Sequence, residues 1–96
     1  MAAYVIVDMT VTDSVSIEQY RELAGASVAA AGGKFLARGG KIEVLDGDWK
    51  PQRIVVIEFP SLERAKFWRA SPEYGKACEI RDRAAKTRMI VVEGAA

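Results

Sequence analysis

The chain contains no histidine. That excludes a Ser-His-Asp or Cys-His mechanism, histidine-ligated haem and the usual zinc sites. Cysteine is nearly absent as well. Cys78 stands alone, so no internal disulfide forms and a reducing compartment suits the chain. Charge of one sign is also lacking. Fourteen basic residues against 13 acidic ones leave a net charge of +1, no footprint for a nucleic acid or a membrane surface. No apolar run approaches the roughly 20 residues of a membrane span. Met1-Ala2-Ala3 leads straight into a strand pattern, with no basic region and apolar leader. The expectation is a cytoplasmic protein without metal or cofactor, binding neither nucleic acid nor membrane. Any chemistry falls to carboxylates, arginines, lysines, tyrosines or the one thiol.

What is present suits one domain over residues 1–96: half of them are apolar and 28% are charged, enough for one modest core. Arg53-Ile54-Val55-Val56-Ile57-Glu58-Phe59 is the longest β-branched run, and Pro60 ends it. Val55, Ile57 and Phe59 fall on one face, Ile54 and Val56 on the other, so this strand belongs in the middle of a sheet. Tyr4–Val11 alternates, with Val5, Val7, Met9 and Val11 assigned to the core and Asp8 to the opposite face.

The remaining elements follow from period and punctuation. Ser16 with Gln19 reads as a capping box, and Val15 with Tyr20 as a hydrophobic staple. Tyr20, Leu23, Ala24, Val28 and Ala31 form the buried stripe of the helix that follows. Gly25 within it suggests close packing against another backbone, and Gly32-Gly33 a left-handed stop. Lys34–Arg38 is a short strand. Gly39-Gly40 interrupts it, Lys41–Leu45 resumes it, and Asp46-Gly47 signals the turn to Arg53. Ser61 caps a second helix that breaks at Ser71-Pro72 and restarts with Ser71 as cap. Arg88–Glu93 is the last strand.

The order β-α-β-β-α-β predicts an α+β, ferredoxin-like domain: an antiparallel sheet, first and third strands central, both helices on one face. Tyr4, Ile6, Ile54 and Val56 then leave the other face apolar. A second copy of the same sheet is the economical cover, which predicts a two-fold homodimer.

Phe35-Leu36-Ala37-Arg38-Gly39-Gly40, Arg53 to Ser61, Ser71-Pro72-Glu73-Tyr74, Arg81 and Val91-Val92-Glu93-Gly94 together resemble the bacterial family called domain of unknown function 1330. The resemblance covers nearly the whole chain. It implies a dimeric α+β barrel built from two ferredoxin-like protomers, and it brings no established reaction. Where the family often enters its first helix with Asp-Pro-Glu, this chain has Asp13-Ser14-Val15-Ser16-Ile17-Glu18.

Glu58 is the sharpest candidate for chemistry, because a carboxylate within an apolar strand is costly unless paired. It either pairs with Arg53, Arg38 or Arg88, or shares a proton with Asp8 as an acid/base pair. Arg38, beside a glycine pair, suits a planar carboxylate and would complete the catalytic set. Tyr74, Arg81, Trp49 and Ser71 are the candidate ligand-binding residues, each with a structural alternative: core packing, partner contact or helix capping. Cys78, on an apolar stripe, reads as inert packing. The functional expectation is a homodimer with a small-molecule pocket, either a cofactor-independent enzyme (proton transfer, isomerisation or oxygenation) or a non-catalytic binding or structural module.

Overall fold

The computed structural model describes residues 1–95. Its elements run β1 (Ala3–Val11), α1 (Ser16–Ala30), β2 (Lys34–Arg38), β3 (Arg53–Phe59), α2 (Leu62–Ala70), α3 (Pro72–Ala84) and β4 (Ala85–Glu93). The sheet order is β2-β3-β1-β4, and each neighbouring pair is antiparallel. β1 and β3 are therefore central, as their apolar faces require. Val5, Val7 and Met9 of β1 and Val55, Ile57 and Phe59 of β3 are buried on the helix side. The alternate residues form an outer face. Across β3, β1 and β4 it carries three rows in register: Glu58–Tyr4–Val92, Val56–Ile6–Ile90 and Ile54–Asp8–Arg88.

The entry to α1 differs from the expected capping box. Asp13 does the capping: its carboxylate accepts from the Val15 and Ser16 amides at 3.1 Å and from the Ser16 hydroxyl at 2.7 Å. Two further residues, Ser14 and Val15, form a turn ahead of the helix, so Ser16 is already inside it. Val15 points into solvent and no staple with Tyr20 forms. The other end is as expected. Gly32 has φ +79°, its amide bonds to Ala29, and the Gly33 amide reaches back to Val28 O at 2.9 Å, a Schellman closure.

Lys41–Leu45 is not a strand. Gly39, at φ +74°, gives its amide to Ile54 O and turns the chain off the ladder. With β3 only seven residues long, nothing remains for 41–45 to pair with. Those residues join a loop that returns over β1, where Gln52 Oε1 accepts from the Val11 amide at 2.7 Å. The last strand starts at Ala85 rather than Arg88, because pairing with β1 continues to Val11↔Ala85. The Thr12 and Asp13 amides both close on Ala84 O. The corner at Ser71 is as expected: its hydroxyl accepts from the Tyr74 amide at 3.2 Å and donates to Trp68 O at 2.7 Å.

Candidate functional site

Trp68 divides the helix side of the sheet into two hollows. It comes from the buried face of α2 and donates Nε1–H to Ser27 Oγ at 3.0 Å. Phe59 packs against it at 5.3 Å between ring centroids, and Tyr74 at 4.2 Å.

On one side, between α2 and β4, lies a groove of about 560 Å³. Val5, Trp68, Met89 and Val91 supply apolar wall; Lys66, Arg69, Arg81 and Thr87 supply the polar groups, and no carboxylate lines it. Arg81 is buried and held from behind: Nη1 donates to Tyr74 Oη at 3.1 Å, and Nε and Nη2 donate to Asp82 Oδ1 at 3.2 and 3.0 Å. Burial works against this cation, but Tyr74, Asp82 and Cys78 outweigh it and hold the guanidinium above its ordinary value. The Thr87 hydroxyl oxygen is buried without a protein partner.

Tyr74 also meets Tyr20 hydroxyl to hydroxyl at 2.8 Å. Burial pushes both phenols up, Tyr20 well beyond the normal range with Tyr74 adding to it. Raised phenols favour the proton-bearing folded state, so their contribution is intact below the unfolded value of about 10 and is lost as pH rises above it. Chemical denaturation at increasing pH should show stability falling above pH about 10, and less steeply in Tyr20→Phe. A curve that stays flat well above that pH would contradict the buried pair.

On the other side of Trp68 is a narrow hollow lined by Tyr20, Phe35, Arg21, Arg38 and Arg53. Arg38 reaches it because of a bulge. The β2–β3 register shifts between Phe35 and Ala37, so Phe35↔Ile57 and Arg38↔Val55 both face the helices. Strict alternation would have put Arg38 on the outer face. Gly25 packs against the Arg38 guanidinium, 3.4 Å from where its Cβ would be, and not against a backbone.

The sequence candidates thus separate. Arg81 lines the groove, while Tyr74 is wholly buried behind it. Ser71 is occupied as a helix cap. Glu58 and Asp8 share the outer face, but Glu58 is opposite Tyr4, four residues from Asp8, or about 13 Å along the strand. They form no proton-sharing pair. Asp8 instead accepts from Arg88 at 2.6 Å and from Trp49 Nε1 at 3.1 Å. Glu58 has no ion pair among the described residues: Arg88 is engaged by Asp8, and Arg38 and Arg53 face the helix-side hollow. Lys66, Arg69 and Thr87 were missed. The signal for Thr87 was its alternation with Met89 and Val91, hidden by starting the strand at Arg88.

The family model described as Domain of unknown function (DUF1330) matches residues 2–95. The chain belongs to that family. No curated protein sequence matches it. Among solved structures, this DUF1330 protein is similar to a protein of unknown function from Rhodopseudomonas palustris, with a TM-score of 0.80 at 18% identity, covering 99% of this chain and 83% of that one. It is similar to a dimeric ferredoxin-like protein of unknown function from Thermobifida fusca (TM-score 0.70, 15% identity, 98% and 92% covered). It is also similar to SnoaB, a cofactor-independent oxygenase from Streptomyces nogalater (TM-score 0.69, 13% identity, 99% and 94% covered). At these identities the likeness is one of fold. No helix among the described residues is long and apolar enough to cross a membrane.

Proposed function

We propose that this DUF1330 protein is a homodimer, packed sheet to sheet, in which each protomer binds a partly apolar, anionic small molecule in the groove between α2 and β4. The groove's charge balance carries the reading. A buried guanidinium, paired from behind with Asp82, stands in it with Lys66 and Arg69 and no carboxylate in the lining, beside an apolar wall and the unpartnered Thr87 hydroxyl. An anionic head on Arg81 with an apolar body against Trp68 and Met89 satisfies both parts. The dimer is supported by the outer face, where Val56, Ile6 and Ile90 form one apolar row, and by the dimeric relative from Thermobifida fusca.

The second reading is a cofactor-independent enzyme acting on that ligand, favoured by the similarity to SnoaB. Arg81 would then stabilise negative charge developing on the substrate. Glu58 or Asp8 would serve as a base only in a site built between the two sheets.

Anilinonaphthalene sulfonate, an aromatic anion, tests the groove directly. Its fluorescence should rise on binding the folded dimer. Ala70→Trp, which fills the groove from its exposed rim, should abolish the rise without disturbing the core. No binding by the parent protein, or equal binding by Ala70→Trp, would overturn the assignment.

A further inference from the structure

The hollow on the far side of Trp68 is small, about 30 Å³. That admits about two water molecules and no organic body. Anything larger must sit at its mouth, against the exposed Arg38 of β2 and the part-exposed Arg21 of α1 and Arg53 of β3 that line it.

Several local features aim these groups. The β2 bulge turns Arg38 to the helix side. Its guanidinium lies over the Phe35 ring at 4.1 Å and donates to Arg21 O at 2.7 Å. At Gly25 a side chain would crowd it. At Gly39 the positive φ favours glycine, and a Cβ would overlap the Arg53 guanidinium. Arg38 and Arg53 have no carboxylate in ion-pair contact among the described residues; Arg21 has one, the exposed Glu18, at 3.2 Å. Burial first, then the neighbouring arginines, weaken both the Arg38 and Arg53 cations. Arg38 is exposed and Arg21 and Arg53 are part-exposed, so solvent screens the three like charges, and a bound anion would relieve the repulsion that remains.

We infer that Arg21, Arg38 and Arg53 form an oxyanion-binding site at the mouth of this hollow, for the carboxylate or phosphate group of a small molecule. Guanidinium forks match the oxygens of either group in a bidentate way. Trp68 separates this site from the α2–β4 groove, so it stands or falls independently of the ligand proposed there.

The test is titration of the isotope-labelled full chain with acetate and, separately, inorganic phosphate at constant ionic strength, with chloride as the balancing salt. The arginine Nε–Hε resonances are the readout. Saturable shifts at Arg38 and Arg53 with either anion are expected; the anion that saturates first identifies the group. Arg53→Met should weaken that binding by about tenfold to a hundredfold, the loss expected for a charge-assisted hydrogen bond. Arg53→Lys, which keeps the charge but not the fork, should fall between. No saturable shift when acetate or phosphate replaces chloride, or affinity unchanged in Arg53→Met, would overturn the inference.

Discussion

Ile90→Asp is expected to convert the proposed sheet-to-sheet dimer into a folded monomer. Ile90 is 62% exposed in the protomer, so a charge there costs the isolated fold almost nothing. In a sheet-to-sheet dimer the same position is covered, at the end of the Val56–Ile6–Ile90 row. Two-fold symmetry brings in two copies of the change. An unpaired charge at a covered interface costs about 3 kcal/mol or more, so the pair weakens association by about four orders of magnitude. Sedimentation at micromolar concentration checks the mass, and circular dichroism checks that the fold survives. A dimer that persists in Ile90→Asp would remove the outer face as the interface.

Trp68→Ala should bring the largest loss of protomer stability. The residue is fully buried, contacts Phe59 and Tyr74 through its ring, and holds Ser27 through Nε1. Truncating a buried aromatic of this size costs about 3–5 kcal/mol, a large part of the 5–15 kcal/mol that holds a domain folded. At about 4–8 °C per kcal/mol for a chain this short, Tm should fall by roughly 15 °C or more. Trp68→Phe keeps one aromatic ring in the site and loses the indole donor and part of the ring volume, so it should cost less than the alanine variant. Because Trp68 walls both hollows, the alanine variant also opens one into the other, and added indole should recover part of the lost Tm. A drop of only a few degrees in Trp68→Ala would show that the partition does not organise the core.

Much of the fold was legible because the pattern repeats. Alternation along Tyr4–Val11 and the two apolar faces of Arg53–Phe59 each rest on several residues, so one exception does not mislead. Ser61 and Ser71 were legible as caps because proline or an acidic residue follows at the expected position. Failures came where one residue decides. Asp13 caps the helix ahead of Ser16, because its two oxygens satisfy three donors: the Val15 and Ser16 amides and the Ser16 hydroxyl itself. Ala85 and Lys86 continue a helical pattern, but the ladder with β1 outweighs it.

The sequence by itself determined the order of elements, the ferredoxin-like topology, the apolar outer face and the lack of any histidine chemistry. All of these follow from composition and period, which need no knowledge of distant contacts. Only the tertiary structure decided which charged groups meet. A one-residue bulge in β2 moved Arg38 to the helix side, while the four-residue offset along the central strands kept Asp8 and Glu58 apart. Arg53 joined Arg38 and Arg21 across three elements, and Arg81 became a groove residue through its bond to Tyr74. Side-chain direction in a sheet depends on register to the single residue, and register is set by pairing between strands that lie far apart in the chain.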